Sequence, residues 1–417
     1  MKLSIIVIGD EILIGQVNDT NSGAIARTFG PMGWDILGVS VVPDDRQAIR
    51  RAVEAAMEDA DLIITTGGLG PTKDDITKQT LADIFGGPLV RNPEVTANIE
   101  RVFSLRGLKM NELTAAQADV PESCRVIQNL YGTAPVMWFE RERRVLVSMP
   151  GVPFETEGML SEVAMQAANH FGSDLVLRHH SLMVTGITES ALAQRLSSWE
   201  SGLPATMHLA YLPTPGLIRL RLDARGADAC HVESLMQEKV AELKLLLGDN
   251  LAYDGDASAA EIALAACRMS GYTLGCAESC TGGTIASRIT AVAGCSDTFI
   301  GSVVSYANDV KTNVLGVEAS DIEIRGAVSR EVVEQMATGA CRTLGCDCAI
   351  ATSGIAGPGG GTKAKPIGTV WIAAATPDGV ISRLLHLPGN RSRIIDRAST
   401  EALLLLNYYL RSFRQTL

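Results

Sequence analysis

The chain is expected to be α/β, with two α/β domains joined by a small α+β module. Short aliphatic runs recur along it, each nearly all apolar, as strands are when helices cover both faces of a parallel sheet. Stretches of helical period separate these runs. The alternation changes character over residues 176–250 and then restarts. A length of 417 residues agrees, since ~150 residues per domain gives about three domains.

The first domain is predicted over 1–172. Residues 3–8 read as a buried strand, 15–30 begin polar and become amphipathic, and 34–42 form a second strand. A helix follows over 46–59, with Ala48, Ala52, Ala55 and Ala56 on one side, and then a third strand over 61–66. The module, 173–250, carries strands over 182–186 and 217–224 and helices over 188–198 and 229–247. Residues 248–258 read as a linker, because Gly248, Asp249, Gly255 and Asp256 punctuate them. The last domain, 258–415, opens on a helix over 258–270 with Ser258 and Glu261 as a capping box. Strands are expected over 272–277, 301–307, 348–353 and 368–375, with a closing helix over 399–410.

Composition narrows the function. Lys and Arg number 36 against 47 Asp and Glu, so the net charge of −11 disfavours a nucleic-acid coat or a polybasic membrane binder. No apolar run approaches the ~18 residues of a membrane span. The apolar start is too short for a signal core and is interrupted by Asp10 and Glu11, so a cytoplasmic protein is expected. The nine cysteines, seven of them from Cys267 onward, form no CxxC pair and read as reduced thiols. The six histidines are scattered, which disfavours a histidine metal centre or a Ser-His-Asp triad. A hydrolase built on this chain would use another base.

In the last domain, the strand over 272–277 runs into Glu278-Ser279-Cys280-Thr281-Gly282-Gly283 and then a helical stretch. A serine at a strand end is a good place for a nucleophile, and amides of Thr281, Gly282 and Gly283 at the helix start can hold an oxyanion or phosphate. An ordinary N-cap serine is the alternative. Next comes SYANDVK, with Asn308 as the cap of a helix whose first turn carries Lys311. A cation there opposes the helix dipole, which points to a depressed pKa and a general base; a solvated surface lysine is the alternative. The run TSGIAGPGGG, including Ser353, Gly354 and Gly357, reads as a phosphate and ribose cradle or as a hairpin loop.

These motifs, with KPIGTVWIA, resemble the C-terminal domain of the CinA family and its stand-alone PncC relatives, the nicotinamide mononucleotide (NMN) deamidases. The resemblance implies a metal-free Ser/Lys amidohydrolase making nicotinate mononucleotide and ammonia. Its nucleophile falls on Ser279, with Cys280 as rival, and its base on Lys311; Tyr306 and Asn308 position base or substrate. Arg391, Arg393 and Arg397 are candidates for the phosphate. The commoner family pattern has an arginine where Ile395 stands, which makes Arg397 the expected substitute.

In the first domain, the strand over 61–66 runs into TGGLGPTKDDIT. Thr66, Gly67, Gly68 and Gly70 suggest an anion cradle, and the acidic residues Asp10, Glu11, Asp44 and Asp75 at strand ends suggest an adjoining divalent metal site. Helix capping by these acids is the alternative. With MPGVPFE and GDEILIGQVNDTN, this region resembles the molybdopterin-binding fold of MoaB, MogA and MoeA as used in CinA. That implies a catalytic Asp75, a second aspartate at Asp44, and metal-dependent hydrolysis of ADP-ribose. The middle module resembles the KH-like part of CinA proteins. It lacks a convincing GxxG loop, so a spacer or dimer role is expected over RNA binding, and the chain is expected to be a homodimer. Rival readings are a non-enzymatic DNA-uptake or repair accessory and a molybdopterin-binding protein.

Overall fold

The computed structural model describes the chain except residues 73, 106, 108–110, 173–175, 215 and 415–417. Lys73 of the glycine loop, the predicted boundary at 173 and the predicted end at 415 lie outside the described residues. The N-terminal sheet is built from β1 (Lys2–Ile8), β2 (Asp35–Val42), β3 (Leu62–Thr66), β4 (Arg125–Ile127), β5 (Val136–Arg141) and β6 (Arg144–Met149), in the order β2-β1-β3-β6-β5-β4. The first four strands run parallel and the last two pairings are antiparallel, so the predicted doubly wound sheet has an antiparallel margin. β1 is apolar apart from Lys2 and Ser4 because both its faces are covered. Leu3, Ile5 and Val7 pack with α1 (Asn21–Phe29), while Ile6 and Ile8 pack with α2 (Arg46–Asp59). Asp45 caps α2 by accepting from the N–H groups of Gln47 and Ala48. The sheet is followed by α3 (Thr77–Phe85, after β3) and α4 (Pro153–Phe171, after β6).

The middle module has a sheet of β7 (Val176–Val184), β8 (Met207–Thr214), β9 (Leu217–Gly226) and β10 (Leu251–Asp254), in the order β8-β9-β7-β10. Its helices are α5 (Glu189–Ser201) and α6 (Ala229–Leu247). β10 corrects the linker expectation. Leu251–Asp254 pairs antiparallel with β7 and completes the sheet, even though turn residues flank it on both sides.

In the C-terminal domain, α7 (Ala259–Ser270) begins at the expected capping box: Ser258 Oγ accepts from the Glu261 amide at 3.2 Å, and the Glu261 carboxylate accepts from the Ser258 amide at 2.7 Å. The sheet order is β12-β11-β13-β14-β15, from β11 (Leu274–Glu278), β12 (Phe299–Val304), β13 (Cys348–Gly354), β14 (Thr369–Thr376) and β15 (Gly379–His386). The β11, β12 and β13 neighbours are parallel, and β14 and β15 return antiparallel. Helices α8 (Thr284–Thr290), α9 (Asn308–Asn313), α10 (Arg330–Leu344) and α11 (Arg391–Arg414) complete it. α11 starts eight residues before the predicted closing helix and buries Ile394, Ala398 and Leu403 in the same core as Ile350 of β13. No described helix is long and apolar enough to cross a membrane.

Candidate functional site

In the C-terminal domain, three parallel strands bring their carboxyl ends to one edge. Glu278 stands opposite Val304 on one side and Thr352 on the other. The Ser279 amide donates to Thr352 O at 3.0 Å, and the Ser305 amide to Glu278 O at 2.8 Å. Ser279 is nearly buried at this edge. Lys311 turns back toward the same edge, 1% exposed, and its Nζ donates to the carbonyls of Ser305 at 2.7 Å and Tyr306 at 3.3 Å. Burial lowers its pKa, opposed weakly by the Cys280 thiol nearby.

The cause of that shift differs from the expected one. α9 is only six residues long, its N-cap is Ala307, and Lys311 lies in its last turn. Asn308 is the first helical residue and does not cap. A cation in a last turn agrees with the helix dipole, so desolvation, not the dipole, depresses this amine. The neighbouring Cys280 is nearly buried, hydrogen-bonded to Thr352, and pushed up to about 12 by burial, so it is a neutral thiol near pH 7.

Glu278 was missed by sequence reasoning. It is fully buried, and its carboxylate accepts from the amides of Gly283 (3.0 Å), Ile285 (3.0 Å) and Ala286 (2.9 Å), and from Thr281 Oγ1 (2.7 Å). The helix N-terminus expected to receive an anion from the ligand is thus filled by an anion of the chain itself. The Gly282 amide donates to Ser279 O at 3.2 Å. The predicted Gly282 and Gly283 donors are therefore occupied. Among the described residues, no acceptor is present for the Thr281 amide, whereas the Cys280 amide faces its own thiol. Thr352 Oγ1 completes the network at 2.7 Å from Thr281 Oγ1.

The remaining predicted residues separate. Arg391 joins the site: its guanidinium donates to Gly357 O at 2.8 Å and to the Tyr306 hydroxyl at 3.2 Å. Tyr306 itself is exposed, so this part of the site opens to solvent. Arg397 stands 3.9 Å from Glu401 and lines a cleft with Arg383, away from these partners. Arg393 lies in the first turn of α11, its amide donating to Asn390 Oδ1 at 3.0 Å. Ser353 Oγ donates to Ala327 O at 2.7 Å, and a Cβ on Gly354 would meet Val370. Both are packing residues of β13 and not an open cradle.

The N-terminal cavity, of about 470 Å³, lies at the carboxyl ends of β1 and β3. Glu11, Asp19, Asp44, Asp74, Asp75 and Glu155 line it with the glycine loop. A Cβ on Gly67 would fall on the Ile8 carbonyl, one on Gly68 on the Thr77 hydroxyl, and one on Gly70 on the Asp75 carboxylate. The glycines let the loop close on itself. Asp75 ties that loop, accepting from the Gly70 and Thr72 amides, each at 2.8 Å, and from Thr72 Oγ1. Thr66 is internal: its hydroxyl donates to Pro150 O at 2.7 Å and accepts from Asn21 Nδ2 at 2.9 Å. Asp44 accepts from the Asp10 amide at 3.1 Å; burial raises its pKa, and the charges of Asp10, Glu11 and Asp75 raise it further. Among the described residues, no three acidic, histidine or cysteine side chains converge as a metal cage. The four predicted ligands share a neighbourhood without forming one. Lys78, three residues beyond Asp75, is buried and donates to the carbonyls of Ala116 (3.2 Å), Gln117 (3.2 Å) and Asp119 (3.1 Å).

The architecture is that of a multidomain α/β protein whose candidate sites sit where parallel strands end. Residues 256–410 match the CinA C-terminal domain, 179–251 the damage-inducible protein CinA KH domain, and 4–170 a domain described as "Probable molybdopterin binding domain". A CinA-like protein of Flavobacterium psychrophilum is 39% identical over 97% of this chain and 97% of its own. Another from Cytophaga hutchinsonii is 39% identical over 99% of this chain and 98% of its own. The chain belongs to the CinA family. Among solved structures, the competence/damage inducible protein CihA of Agrobacterium tumefaciens is similar to it at 36% identity, over 37% of this chain and 93% of that one, with a TM-score of 0.36.

Proposed function

We propose that the C-terminal domain deamidates NMN through Ser279 and Lys311. One observation carries this reading: the desolvated Lys311 amine beside the Ser279 strand end has two carbonyl acceptors. A neutral amine has two N–H groups and one lone pair. Ser305 O and Tyr306 O accept both N–H groups, which leaves the lone pair to take the Ser279 proton. Ser279 Oγ then attacks the carboxamide carbon. The Thr281 amide supplies a donor for the oxyanion, in place of the occupied glycine amides. The Lys311 ammonium returns its proton to the leaving ammonia, and water hydrolyses the acyl-serine. Arg391, held by Gly357 and Tyr306, offers its charge to the substrate phosphate. The test is ammonia release from NMN by the full chain. Turnover that survives Ser279→Ala, or its absence in wild type, would sink this reading.

For the N-terminal domain the reading is ADP-ribose hydrolysis, favoured by the mutual charge pressure on Asp44. The donor set suits a cation that arrives with a diphosphate, since Mg²⁺ is commonly held by one or two carboxylates plus substrate phosphates. Asp44 and Glu11 would hold it, and when bound it would supply charge neutralisation for attack on a diphosphate. The amides of Gly68 and Leu69 have no acceptor among the described residues and line the cavity as phosphate donors. Chelator-resistant turnover would remove the metal from this reading. Salt-dependent DNA retention, or tight molybdopterin binding without turnover, would favour the rival classes.

A further inference from the structure

The C-terminal end of α10 carries two thiols in contact. Gly345 is its C-cap in the left-handed region, with φ 65°, and its amide and that of Cys346 both donate to Cys341 O, the latter at 3.2 Å. This six-to-one closure is the Schellman arrangement, whose first and last side chains meet across the helix end. Here those two side chains are Cys341 and Cys346, close enough that each shifts the other's titration, while Cys341 Sγ donates to Asp347 O at 3.8 Å and Cys346 Sγ to Ala340 O at 4.0 Å. Room for the second thiol is made by Gly275 of β11, where a Cβ would stand 2.6 Å from Cys346 Sγ. Cys341 is partly exposed and Cys346 nearly buried.

We infer that Cys341 and Cys346 form a modification site, a dithiol that a hydroperoxide converts to a disulfide. Cys341 is the sulfur that meets the oxidant. It is the reachable one, and the neighbouring Cys346 thiol holds its pKa below the usual thiol value while its own is raised. Cys341 thiolate attacks one peroxide oxygen, the O–O bond breaks, and a sulfenic acid and hydroxide form, the hydroxide becoming water with the proton that the Cys341 thiol had released. The Cys346 sulfur then attacks the Cys341 sulfur. The S–S bond forms, the S–O bond breaks, and the hydroxide leaves as water with the Cys346 proton. With hydrogen peroxide the pair loses two electrons and two protons, and two waters are made.

The same chain holds its own controls. Cys267 and Cys348 are also neighbours, but both are fully buried and out of reach of an oxidant. Cys230 is an exposed thiol on another element.

The test treats the reduced full-length chain with hydrogen peroxide, blocks remaining thiols with N-ethylmaleimide, and maps peptides by mass spectrometry. Trypsin cuts after Arg342, between the two cysteines, so the disulfide appears as two peptides linked with the loss of two hydrogens. That product, reversed by dithiothreitol, is expected as the main one at this pair, while Cys267 and Cys348 stay reduced. In Cys346→Ser, dimedone should trap a sulfenic acid on Cys341; in Cys341→Ser, Cys346 should give none. Sulfinic or sulfonic acid at Cys341 with Cys346 still alkylated would overturn the inference. So would a peroxide-driven Cys267–Cys348 bond, or equal dimedone labelling of Cys346 in Cys341→Ser.

Discussion

Lys78 and Lys311 pose the same physical problem and solve it differently. Both are buried near a strand-end glycine turn, Lys78 after its own and Lys311 beside that of the neighbouring strand, and burial lowers the pKa of each. Each turn is tied by a carboxylate, Asp75 in the N-terminal domain and Glu278 in the C-terminal one. Lys78 has three carbonyl acceptors, matching the three N–H groups of an ammonium. Asp119 and Asp75 also favour its charged form. Lys311 has two acceptors, and the nearby Cys280 thiol, held neutral near pH 7, gives it no counter-charge there. A third acceptor makes a lysine a pin that joins segments; its absence leaves a position at which a proton can be exchanged.

The largest expected effect breaks this contrast at its active end. Lys311→Arg keeps the charge but cannot accept a proton, so NMN turnover should fall about 10²–10⁴-fold with KM little changed. Steady-state ammonia release checks it, and near-normal turnover would make Lys311 an anchor. The wild-type rate should also rise with pH and level off below the ordinary lysine value of 10.5, because only the neutral amine is competent. Stability carries the same sign: the unfolded chain holds the Lys311 proton more tightly, so folding gains as pH rises from the lowered value toward 10.5. Lys311→Met should flatten that slope.

The carboxylates come next. Glu278→Gln places an NH2 group against backbone donors in a fully buried site and should cost about 2–3 kcal/mol in denaturant titrations of the C-terminal domain. Asp75→Asn disturbs a more exposed loop, and its main expected readout is loss of ADP-ribose turnover with little loss of stability. A larger stability loss for Asp75→Asn than for Glu278→Gln would reverse the ranking. The lysines differ on the same axis. Lys78→Met leaves three carbonyls without donors and should destabilise the N-terminal domain by about 3 kcal/mol, whereas Lys311→Met should stay within about 1 kcal/mol of wild type. Hydrogen exchange resolves the two domains separately. The smallest effect is Cys280→Ala, which should retain most NMN turnover because its thiol is held neutral near pH 7.

What the sequence disclosed follows from which forces are local. Near-continuous apolar runs announced β1, β3 and β13, because strands covered on both faces need no polar side. The capping box at Ser258 and Glu261 is an interaction over three residues and was legible as such. β15 was not, since it is an edge strand of mixed polarity, and neither was β10, four residues long between turn-forming neighbours. At the candidate site the residue types were legible but their causes were not. The low pKa of Lys311 comes from tertiary burial, not from its place in a helix. The role of Glu278 depends on the chain folding back to offer amides five, seven and eight residues ahead, a spacing with no local signature. Arg397 was the arginine expected at the phosphate, but α11 directs it and Arg391 to different neighbours.

Strand β10 has a practical consequence for dividing the chain. A fragment ended at Asn250 would lose the strand that covers β7, baring a backbone edge beside the apolar residues Leu182, Met183 and Val184. Such an edge recruits other chains, so that fragment should self-associate. A C-terminal fragment begun at 248 would in turn carry four strand residues with nothing to pair against. A cut between Asp254 and Ser258 keeps both the sheet and the capping box whole, but it parts Met183 and Leu217 from the C-terminal core in which they are buried.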